Sequence, residues 1–468
     1  MFNLDNYKQN TAVITDKGER LTYSDLAATA QEFAHSIPQK GLLFCLCENR
    51  IGSLVGYVAC MEHHIPIVLL DGSKDISVLQ NLMTIYQPEY IWISSDKIES
   101  IGGETIYKYA TFSLQKMHYD VEIEKPEINP ELALCLTTSG STGSPKFVRL
   151  TAKNVLANAE SIAEYLEIDE HERPITTLPS YYSYGVSVIN SHLIKGATLL
   201  LTEGTVAQRE FWNFLKEEKA TSISGVPYTY EMLKMLRFFR MDLPYLKTMT
   251  QAGGKLNKDI AKEYIEFAKE KGKKFFVMYG QTEATARMSY LPFEHALEKY
   301  ASIGIAIPRG KFSLIDVNGN PIEEPDVDGE LVYIGPNVSL GYAECRADLA
   351  KGDENHGELH TGDVARRDSD GFYYITGRMK RFVKVWGNRC NLDATEQMVK
   401  SITTSCACVG VDDKITIFVT EQGLEETIIK LLAEKTGFNT KAFEVRVIEA
   451  IPVKSSGKID YPAMQAML

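Results

Sequence analysis

The sequence lacks an excess of positive charge. It contains 50 Lys and Arg residues against 62 Asp and Glu residues, which gives a formal net charge of -12. No run of basic residues forms the electrostatic footprint that nucleic acids or anionic membranes require. We therefore expect neither a nucleic-acid partner nor a membrane partner, and a small anionic substrate has to be held by local cations.

Cysteine is absent from the arrangements that bind zinc. The eight cysteines include two C-x-C pairs, Cys45 with Cys47 and Cys406 with Cys408, but no C-x-x-C. No histidine pairing of zinc-site spacing accompanies them. This usage predicts reduced, mostly buried thiols in a cytoplasmic protein.

Long uninterrupted apolar runs are missing as well. The first residues, MFNLDNYKQNTAV, are acidic and polar where a signal peptide needs a basic start followed by an apolar stretch. The most apolar region, residues 51–70, is interrupted by Glu62, His63, His64 and Pro66, which argues against a bilayer span. A cytoplasmic location is the expectation.

What the sequence does contain is an α/β pattern. Short apolar runs at 42–47 and 67–70 alternate with helix-period segments such as 23–33. After Gly357 the chain becomes turn-rich, with an alternating strand at 371–377 and a short α/β tail. No repeat stands out, which disfavours a solenoid or a propeller. We predict a large first domain over 1–379 and a smaller second one over 380–468.

One loop has the composition of a phosphate site. It reads TSGSTGSPK and joins two predicted strands, 132–136 and 147–150, as a hairpin loop. Glycines permit close backbone approach, hydroxyls donate to phosphate oxygens, and a lysine supplies a cation. The residues are Thr138, Ser139, Gly140, Ser141, Thr142, Gly143 and Lys146. Taken alone, the loop could also be a Ser/Gly-rich surface turn.

The loop differs from a Walker loop, which needs G-x-x-x-x-G-K-[ST] opening directly into a helix. Here the next helix begins near Thr151, whose hydroxyl can cap it. Its predicted buried stripe consists of Val155, Ala159, Ile162, Ala163 and Leu166. A kinase-type H-R-D segment is not evident either, so an unrelated ATP phosphotransferase is disfavoured.

Six motifs in order resemble the acyl-adenylate-forming superfamily, which includes acyl- and aryl-CoA synthetases, luciferases and the adenylation domains of peptide synthetases. They are the loop 138–146, Tyr279-Gly280-Gln281-Thr282-Glu283, His360-Thr-Gly-Asp363, the segment 370–378 ending in Gly377-Arg378, Lys384-Val-Trp-Gly387, and PVKSSGK at 452–458. Before residue 132 the resemblance is looser and rests on Leu21-Thr-Tyr-Ser-Asp-Leu26. The resemblance implies a large body of α/β subdomains and a small, mobile α+β C-terminal lid.

The resemblance also implies a reaction and its residues. ATP and Mg²⁺ activate a carboxylic acid as acyl-AMP, and pyrophosphate leaves. Glu283 is then the Mg²⁺ ligand, Thr282 contacts the α-phosphate, Arg378 reaches ribose or phosphate oxygens, and Lys458 is the catalytic cation. Asp363 binds the ribose. Tyr279, followed in the nucleotide-binding motif by Gly280 and Gln281, faces the adenine, and Gly253 and Gly254 line the opposite wall. Lys380 stands at the hinge of the lid.

The identity of the acid stays open at this point. Tyr182 stands where many CoA synthetases of the superfamily have a histidine, and residues 179–190 contain no carboxylate that could neutralise an α-ammonium group. Gly280 stands where acetate-type enzymes have a tryptophan, which suggests room. Tyr181, Tyr182 and Tyr184 are expected to suit an aryl or medium acyl group, although ordinary packing explains them equally well.

A thiol is the expected acceptor in a second half-reaction. Lys384, Trp386 and Gly387 match the pantetheine tunnel, and Arg381 and Arg389 are candidate cations for the 3'-phosphate of CoA. Coenzyme A and the phosphopantetheine arm of a separate carrier protein remain alternatives. Two further alternatives are an amino-acid adenylation enzyme that loads a separate carrier protein, and a non-catalytic ligand-binding homologue.

Overall fold

The structure is a computed structural model that describes residues 1–73, 76–121, 123–137, 146–379, 381–386, 388–453 and 459–468. Its α-helices are α1 (Tyr23–His35), α2 (Ile51–His63), α3 (Ile76–Tyr86), α4 (Ala152–Tyr165), α5 (Ser183–Leu193), α6 (Arg209–Glu217), α7 (Pro227–Met235), α8 (Lys258–Glu270), α9 (Leu392–Val399), α10 (Glu425–Thr436) and α11 (Tyr461–Gln465).

The strands up to residue 306 are β1 (Thr11–Thr15), β2 (Arg20–Thr22), β3 (Leu43–Cys47), β4 (Ile67–Asp71), β5 (Tyr90–Ser94), β6 (Glu104–Tyr109), β7 (Phe112–Lys116), β8 (Leu132–Thr137), β9 (Phe147–Thr151), β10 (Pro174–Ile175), β11 (Leu199–Leu201), β12 (Ser222–Gly225), β13 (Thr248–Gln251), β14 (Lys274–Tyr279), β15 (Ser289–Tyr290) and β16 (Ile305–Ala306). The later strands are β17 (Lys311–Ile315), β18 (Gly329–Ile334), β19 (Gly341–Ala343), β20 (Glu358–Arg367), β21 (Tyr373–Arg378), β22 (Phe382–Val385), β23 (Asn388–Asn391), β24 (Cys406–Val411), β25 (Lys414–Val419) and β26 (Phe443–Val447).

The chain divides into two compact units. The first comprises Met1–Tyr300, Ala306–Lys311 and Ile334–Leu359, and the second comprises Ala301–Ile305, Phe312–Tyr333 and His360–Leu468. This confirms the prediction of an α/β fold with a large N-terminal body and a smaller C-terminal part. The predicted boundary between residues 379 and 380 falls inside the second unit and stays a prediction.

Two large sheets form the first unit. One has the order β16-β15-β14-β13-β12-β10-β11-β1-β2, and the other has the order β19-β9-β8-β4-β3-β5-β7-β6. Their central strands are parallel and buried along their whole length, as in β3 and β12. Continuous apolar runs in the sequence arise from this burial on both faces.

A side-chain cap starts α4 at the residue that the sequence predicts. Thr151 accepts a hydrogen bond from the backbone N–H of Asn154 at the start of α4, and the Asn154 side chain accepts one in return. Of the five residues predicted as the buried stripe of α4, Val155, Ala159, Ile162 and Ala163 are buried. Leu166, at the C-cap, is only half-buried because the helix has already ended.

The apolar region 51–70 forms α2 and β4. Eleven of the 13 residues of α2 are buried in the first unit, so this region belongs to a protein core. Among the described residues, no helix combines the length and the apolar character needed to cross a bilayer. Seven of the eight cysteines are buried and only Cys345 is exposed, which confirms the prediction of mostly buried thiols.

The second unit holds three smaller sheets. Their strand orders are β17-β18-β20-β21, β22-β23 and β24-β25-β26. In the last of these, α9 and α10 pack on the sheet and enclose a core that includes Val399, Ile417 and Ile428. This core gives the C-terminal segment a hydrophobic centre of its own.

His192 in α5 is a buried histidine whose protonation opposes folding. Burial lowers its pKa from the usual 6.5 to about 4, and its Nδ1 contacts the carbonyl of Val188 at 2.8 Å. Below pH 6.5 the histidine of the unfolded chain binds a proton, whereas His192 in the folded chain binds it only near pH 4 and below. We expect the first unit to lose on the order of 3 kcal/mol of stability as the pH falls through this window.

Urea unfolding of the His192→Gln variant between pH 4 and 7 measures this contribution. The variant should show a flatter pH dependence than the parent chain over this range. His171→Gln is the matched control, because His171 is largely exposed and its replacement should leave the slope as it is. An equally steep acid loss in the His192→Gln variant would contradict the assignment.

Candidate active site

The carboxyl ends of β12, β13 and β14 define the site. These strands run parallel, with Gly225 paired to Gln251 and Gln251 paired to Val277. The loops that follow them therefore meet at one edge of the sheet, which is where open α/β sheets bind ligands. Tyr279 ends β14 and the rest of its motif, up to Glu283, follows directly, while Gly253 and Gly254 follow β13.

Gly280 allows the chain to reverse after β14. A Cβ atom built there would lie 1.6 Å from the carbonyl oxygen of Ala286, so any side chain would clash with backbone. The reversal is fixed by hydrogen bonds from Met288 N–H to Tyr279 and from Ala286 N–H to Gln281. The turn thus requires glycine for backbone packing, and the suggestion that Gly280 leaves room for a larger acid stays a prediction.

The turn is strained and firmly held. Thr285 and Ala286 have positive φ angles of 60° and 115°, a conformation that non-glycine residues rarely adopt. Asn337 holds the strained segment, because its Nδ2 donates to the carbonyls of Ala284 and Arg287 and its carbonyl accepts from the Thr285 hydroxyl. From the other side, Asn158 donates to the same Arg287 carbonyl at 2.8 Å.

Glu283 lies in the single 3-10 turn that the motif forms. Its Oε1 accepts a hydrogen bond of 2.8 Å from the hydroxyl of Tyr342. Its backbone carbonyl accepts a bond from the N–H of Ser339. A carboxylate held at both its backbone and its side chain is preorganised for a function.

Tyr342 contacts both Glu283 and Lys146, the last residue of the predicted phosphate loop. It lies in β19, which pairs antiparallel with β9, and Tyr342 faces Val148 in that register. Lys146, the last residue of the predicted loop, has its Nζ 5.4 Å from the Tyr342 ring centroid and 2.6 Å from Glu344. Sequence reasoning missed Tyr342, because nothing near it in the sequence signals its pairing with β9.

The start of α5 brings the third predicted segment to the same edge. Ser183 accepts a hydrogen bond from the Thr282 hydroxyl at 3.1 Å. A Cβ atom at Gly253, where φ is +84°, would lie 2.5 Å from the Tyr182 hydroxyl. The structure therefore brings residues 182–183, 253 and 282 together, while Gly254 is exposed beside Pro227.

The three candidate pocket tyrosines differ in their surroundings. Tyr181 and Tyr182 are half-buried. Tyr184 is 3% exposed, and its hydroxyl is bonded to the carbonyl and the hydroxyl of Thr250 at 2.8 Å. Tyr184 is thus a core residue beneath Tyr182, with the two ring centroids 6.4 Å apart.

In the second unit the predicted ribose-binding aspartate pairs with the predicted arginine. Asp363 and Arg378 face each other in β20 and β21, and Arg378 Nε lies 2.8 Å from Asp363 Oδ1. The Asp363 side chain is only 2% exposed, whereas that of Arg378 is 58% exposed. Arg378 thus holds the Asp363 carboxylate in place, and a carboxylate can accept hydrogen bonds from vicinal hydroxyls.

Lys384 and Trp386, which are predicted to line the thiol tunnel, lie on the β22–β23 hairpin. The Lys384 N–H donates to Asp412, and the Trp386 N–H donates to Asp413. The Trp386 side chain is 51% exposed. The hairpin thus presents an indole ring outward, and the role of both residues in thiol binding stays a prediction.

Arg381 does not fit its expected role as a phosphate-binding cation. Its Nε lies 2.6 Å from Asp393, its Nη2 lies 3.4 Å from Glu396, and its guanidinium carbon lies 3.6 Å from the Tyr461 ring centroid. The side chain is only 13% exposed. The expectation for Arg381 was wrong because neighbouring carboxylates, which the sequence does not reveal, already neutralise it. The Arg389 side chain lies outside the described residues.

Several predicted residues lie outside the described ranges. They are Thr138, Ser139, Gly140, Ser141, Thr142, Gly143, Lys380, Gly387 and Lys458. The strands that flank the phosphate loop are described, and β8 and β9 pair antiparallel from Leu132 with Thr151 to Thr137 with Phe147. The predicted strand-to-strand connection is confirmed, and it excludes a Walker loop, which would open into a helix.

The fold and the site define the class as an α/β enzyme whose predicted phosphate loop joins β8 to β9. The family model of the AMP-binding enzyme matches residues 3–343. The chain belongs to this family. It is an AMP-forming acid–thiol ligase that uses ATP, as the sequence motifs predict.

Relatives and solved structures agree with this membership. The chain is 27% identical to feruloyl-CoA synthase of Amycolatopsis sp over 415 residues, which cover 85% of this chain and 82% of that protein. It is 30% identical to long-chain-fatty-acid–CoA ligase of Escherichia coli O157:H7 over 363 residues, which cover 73% and 63%. O-succinylbenzoate coenzyme A synthetase from Bacillus subtilis has the same fold, with a TM-score of 0.78, 21% identity and coverage of 97% and 96%.

Proposed function

We propose that this ligase activates a carboxylic acid without an α-amino group and passes the acyl group to the thiol of CoA or of a carrier protein's phosphopantetheine arm. The observation that carries the proposal is the contact of Glu283 with Tyr342, beside Lys146 at the end of the phosphate loop. This arrangement puts a fixed carboxylate and a cation next to the segment expected to hold the triphosphate.

The residues present fit a magnesium ion. Mg²⁺ prefers one or two carboxylates together with phosphate oxygens and retains several waters. Glu283 is half-buried and oriented by Tyr342, which suits such a ligand. Bound there, the ion would supply positive charge against the phosphate oxygens.

The chain's own groups then position the reactants. In the first half-reaction a carboxylate oxygen forms a bond to the α-phosphorus, the bond from that phosphorus to the bridging oxygen breaks, and pyrophosphate leaves. Thr282, Lys458 and Arg378 stabilise the added negative charge, and Asp363 holds the ribose. In the second, a thiolate sulfur bonds to the acyl carbon and AMP leaves.

Tyr342 is expected to contribute to the first half-reaction by orienting Glu283. Tyr342→Phe removes one hydrogen bond to a charged group and should lower the adenylation rate by up to about tenfold. The variant should also need more Mg²⁺ for half-maximal rate. Both effects are measured by pyrophosphate exchange at varied Mg²⁺ concentration.

Tyr245→Phe is the control for this change, because Tyr245 is 49% exposed and precedes β13, whose opposite end borders the site. It should leave the rate and the Mg²⁺ requirement as in the parent chain. An unaltered rate and Mg²⁺ requirement in Tyr342→Phe would show that Tyr342 does not orient Glu283 for the reaction.

The acid we favour is an aryl or medium acyl acid. Tyr182 borders Gly253 at the site, Tyr181 precedes it in the chain, and residues 179–190 offer no carboxylate for an ammonium group. The feruloyl and fatty-acid substrates in the relatives' names support this choice. An amino-acid substrate is the alternative, since 97% of the chain is 24% identical to a stretch of a linear gramicidin synthase from Brevibacillus parabrevis.

Acid-dependent exchange of labelled pyrophosphate into ATP tests the proposal. The panel contains aryl acids, medium-chain acids, diacids and amino acids. Exchange with non-amino acids is expected, and exchange with amino acids alone would overturn the choice of acid. No exchange with any acid would favour a non-catalytic homologue. Incubation of the active acid with CoA or with a phosphopantetheinylated carrier then identifies the acceptor.

A further inference from the structure

Arg287 is a buried cation without an anionic partner in the described part of the chain. Its side chain is 2% exposed. The other two arginines among the buried residues each lie within ion-pair distance of a carboxylate, Arg149 with Glu354 and Arg346 with Glu89. Burying an unpaired charge is costly, so an arginine that departs from this rule needs an explanation.

One edge of the Arg287 guanidinium makes no bond to any described residue. Both of its hydrogen bonds leave from Nη1, to the Tyr165 hydroxyl at 3.2 Å and to the Met278 sulfur at 3.3 Å. Nε is buried and has no hydrogen-bond partner among the described residues. The edge formed by Nε and Nη2 is the one that binds a carboxylate through two parallel hydrogen bonds.

The groups around the guanidinium supply no negative charge at neutral pH. Its central carbon lies 4.8 Å from the Tyr184 ring centroid. Burial raises the pKa values of Tyr165 and Tyr184, so both phenols stay neutral. His192, whose own pKa is lowered partly by Arg287, is neutral as well. The net positive charge around Arg287 therefore favours the binding of an anionic ligand.

The position of Arg287 relates this charge to the acid pocket. Arg287 follows the strained turn after Glu283, and two asparagines fix its carbonyl. The Tyr184 ring, which contacts the guanidinium, also packs against Tyr182 at the predicted pocket. A backbone held this firmly places the side chain reproducibly, as a recognition residue requires.

We propose that Arg287 binds a second carboxylate at the far end of the acid, so that the substrate is a dicarboxylic acid. This inference rests on the proposed function and narrows its substrate class. The reacting carboxylate meets the α-phosphate near Thr282, and the second carboxylate pairs with the open edge of Arg287. A monoacid of equal length leaves that buried edge unpaired.

Matched acids test the proposal in pyrophosphate exchange. Hexanoate, hexanedioate and the monomethyl ester of hexanedioate form one series, and 3-phenylpropanoate with its para-carboxy derivative forms another. We expect the parent chain to favour the diacids in kcat/KM by at least about tenfold. In Arg287→Met the ratio of diacid to monoacid should fall by about 100-fold, since a desolvated charge pair is lost.

A binding measurement and a control variant complete the test. Diacids should raise the thermal midpoint of the parent chain, and less so in Arg287→Met and Arg287→Lys. Arg209→Met, at an exposed arginine in α6, should keep the parent ratio. A parent chain that favours monoacids, or a uniform loss for all acids in both Arg287 variants, would overturn the proposal. Exchange with monoacids alone would reject only this inference, whereas exchange with no acid would reject the proposed function.

Discussion

Replacing Lys458 by alanine is expected to reduce the rate of acyl-AMP formation by about 100- to 1,000-fold. The reason is the loss of a cation from the α-phosphate at the moment when negative charge increases there. Thioester formation from chemically prepared acyl-AMP should change far less, because pyrophosphate has already left. The two steps are measured separately, by pyrophosphate exchange and by thiol-dependent release of AMP.

Lys454→Ala is the matched control, because it removes a lysine from the same PVKSSGK segment. It should keep the exchange rate within about twofold, because the resemblance assigns no role in catalysis to Lys454. An equal loss in both half-reactions for Lys458→Ala would mean that the lysine supports the fold or the thiol step. An equal loss in the two variants would mean that the total charge of the segment matters more than the position of Lys458.

Glu283→Gln is expected to have the second-largest effect, a fall of about 100-fold or more in adenylation. Glutamine keeps the shape of the side chain and can still accept a bond from Tyr342, so the change isolates the negative charge. The Mg²⁺ concentration needed for half-maximal rate should rise at the same time. Steady-state exchange at varied Mg²⁺ measures both quantities.

Glu344 provides the comparison, since its carboxylate pairs with Lys146. The Glu344 side chain is 60% exposed. Glu344→Gln should lower the rate by a much smaller factor, because an exposed ion pair contributes little. A larger loss in Glu344→Gln than in Glu283→Gln would mean that Glu283 is not the carboxylate that binds the metal. Unaltered thermal midpoints in both variants would show that the fold is intact.

Local signals in the sequence were enough for the elements that carry the site. The Thr151 cap and the antiparallel pairing of the strands on either side of residues 138–146 each depend on neighbours along the chain. Asp363 and Arg378 lie on consecutive strands, so their pairing follows from an antiparallel register. Such features are determined by hydrogen-bonding geometry over short separations.

Long-range contacts were beyond sequence reasoning. Tyr342 reaches Glu283 from 59 residues away, and Asn158 reaches Arg287 from 129 residues away. Neither has a motif, because a tyrosine or an asparagine becomes a positioning residue only through the fold. Arg381 shows the opposite error, in which an apparently available cation is neutralised by Asp393 and Glu396. Burial and partners decide such roles, and the sequence shows neither directly.

The account depends most on the formation of acyl-AMP, and transfer of isotope tests that step directly. An acid labelled with oxygen-18 in its reacting carboxylate is incubated with ATP, Mg²⁺ and the thiol, and the products are analysed by mass spectrometry. Attack on the α-phosphorus predicts one oxygen-18 atom in the phosphate of AMP. Oxygen-18 in inorganic phosphate, with ADP as the nucleotide product, would contradict the account.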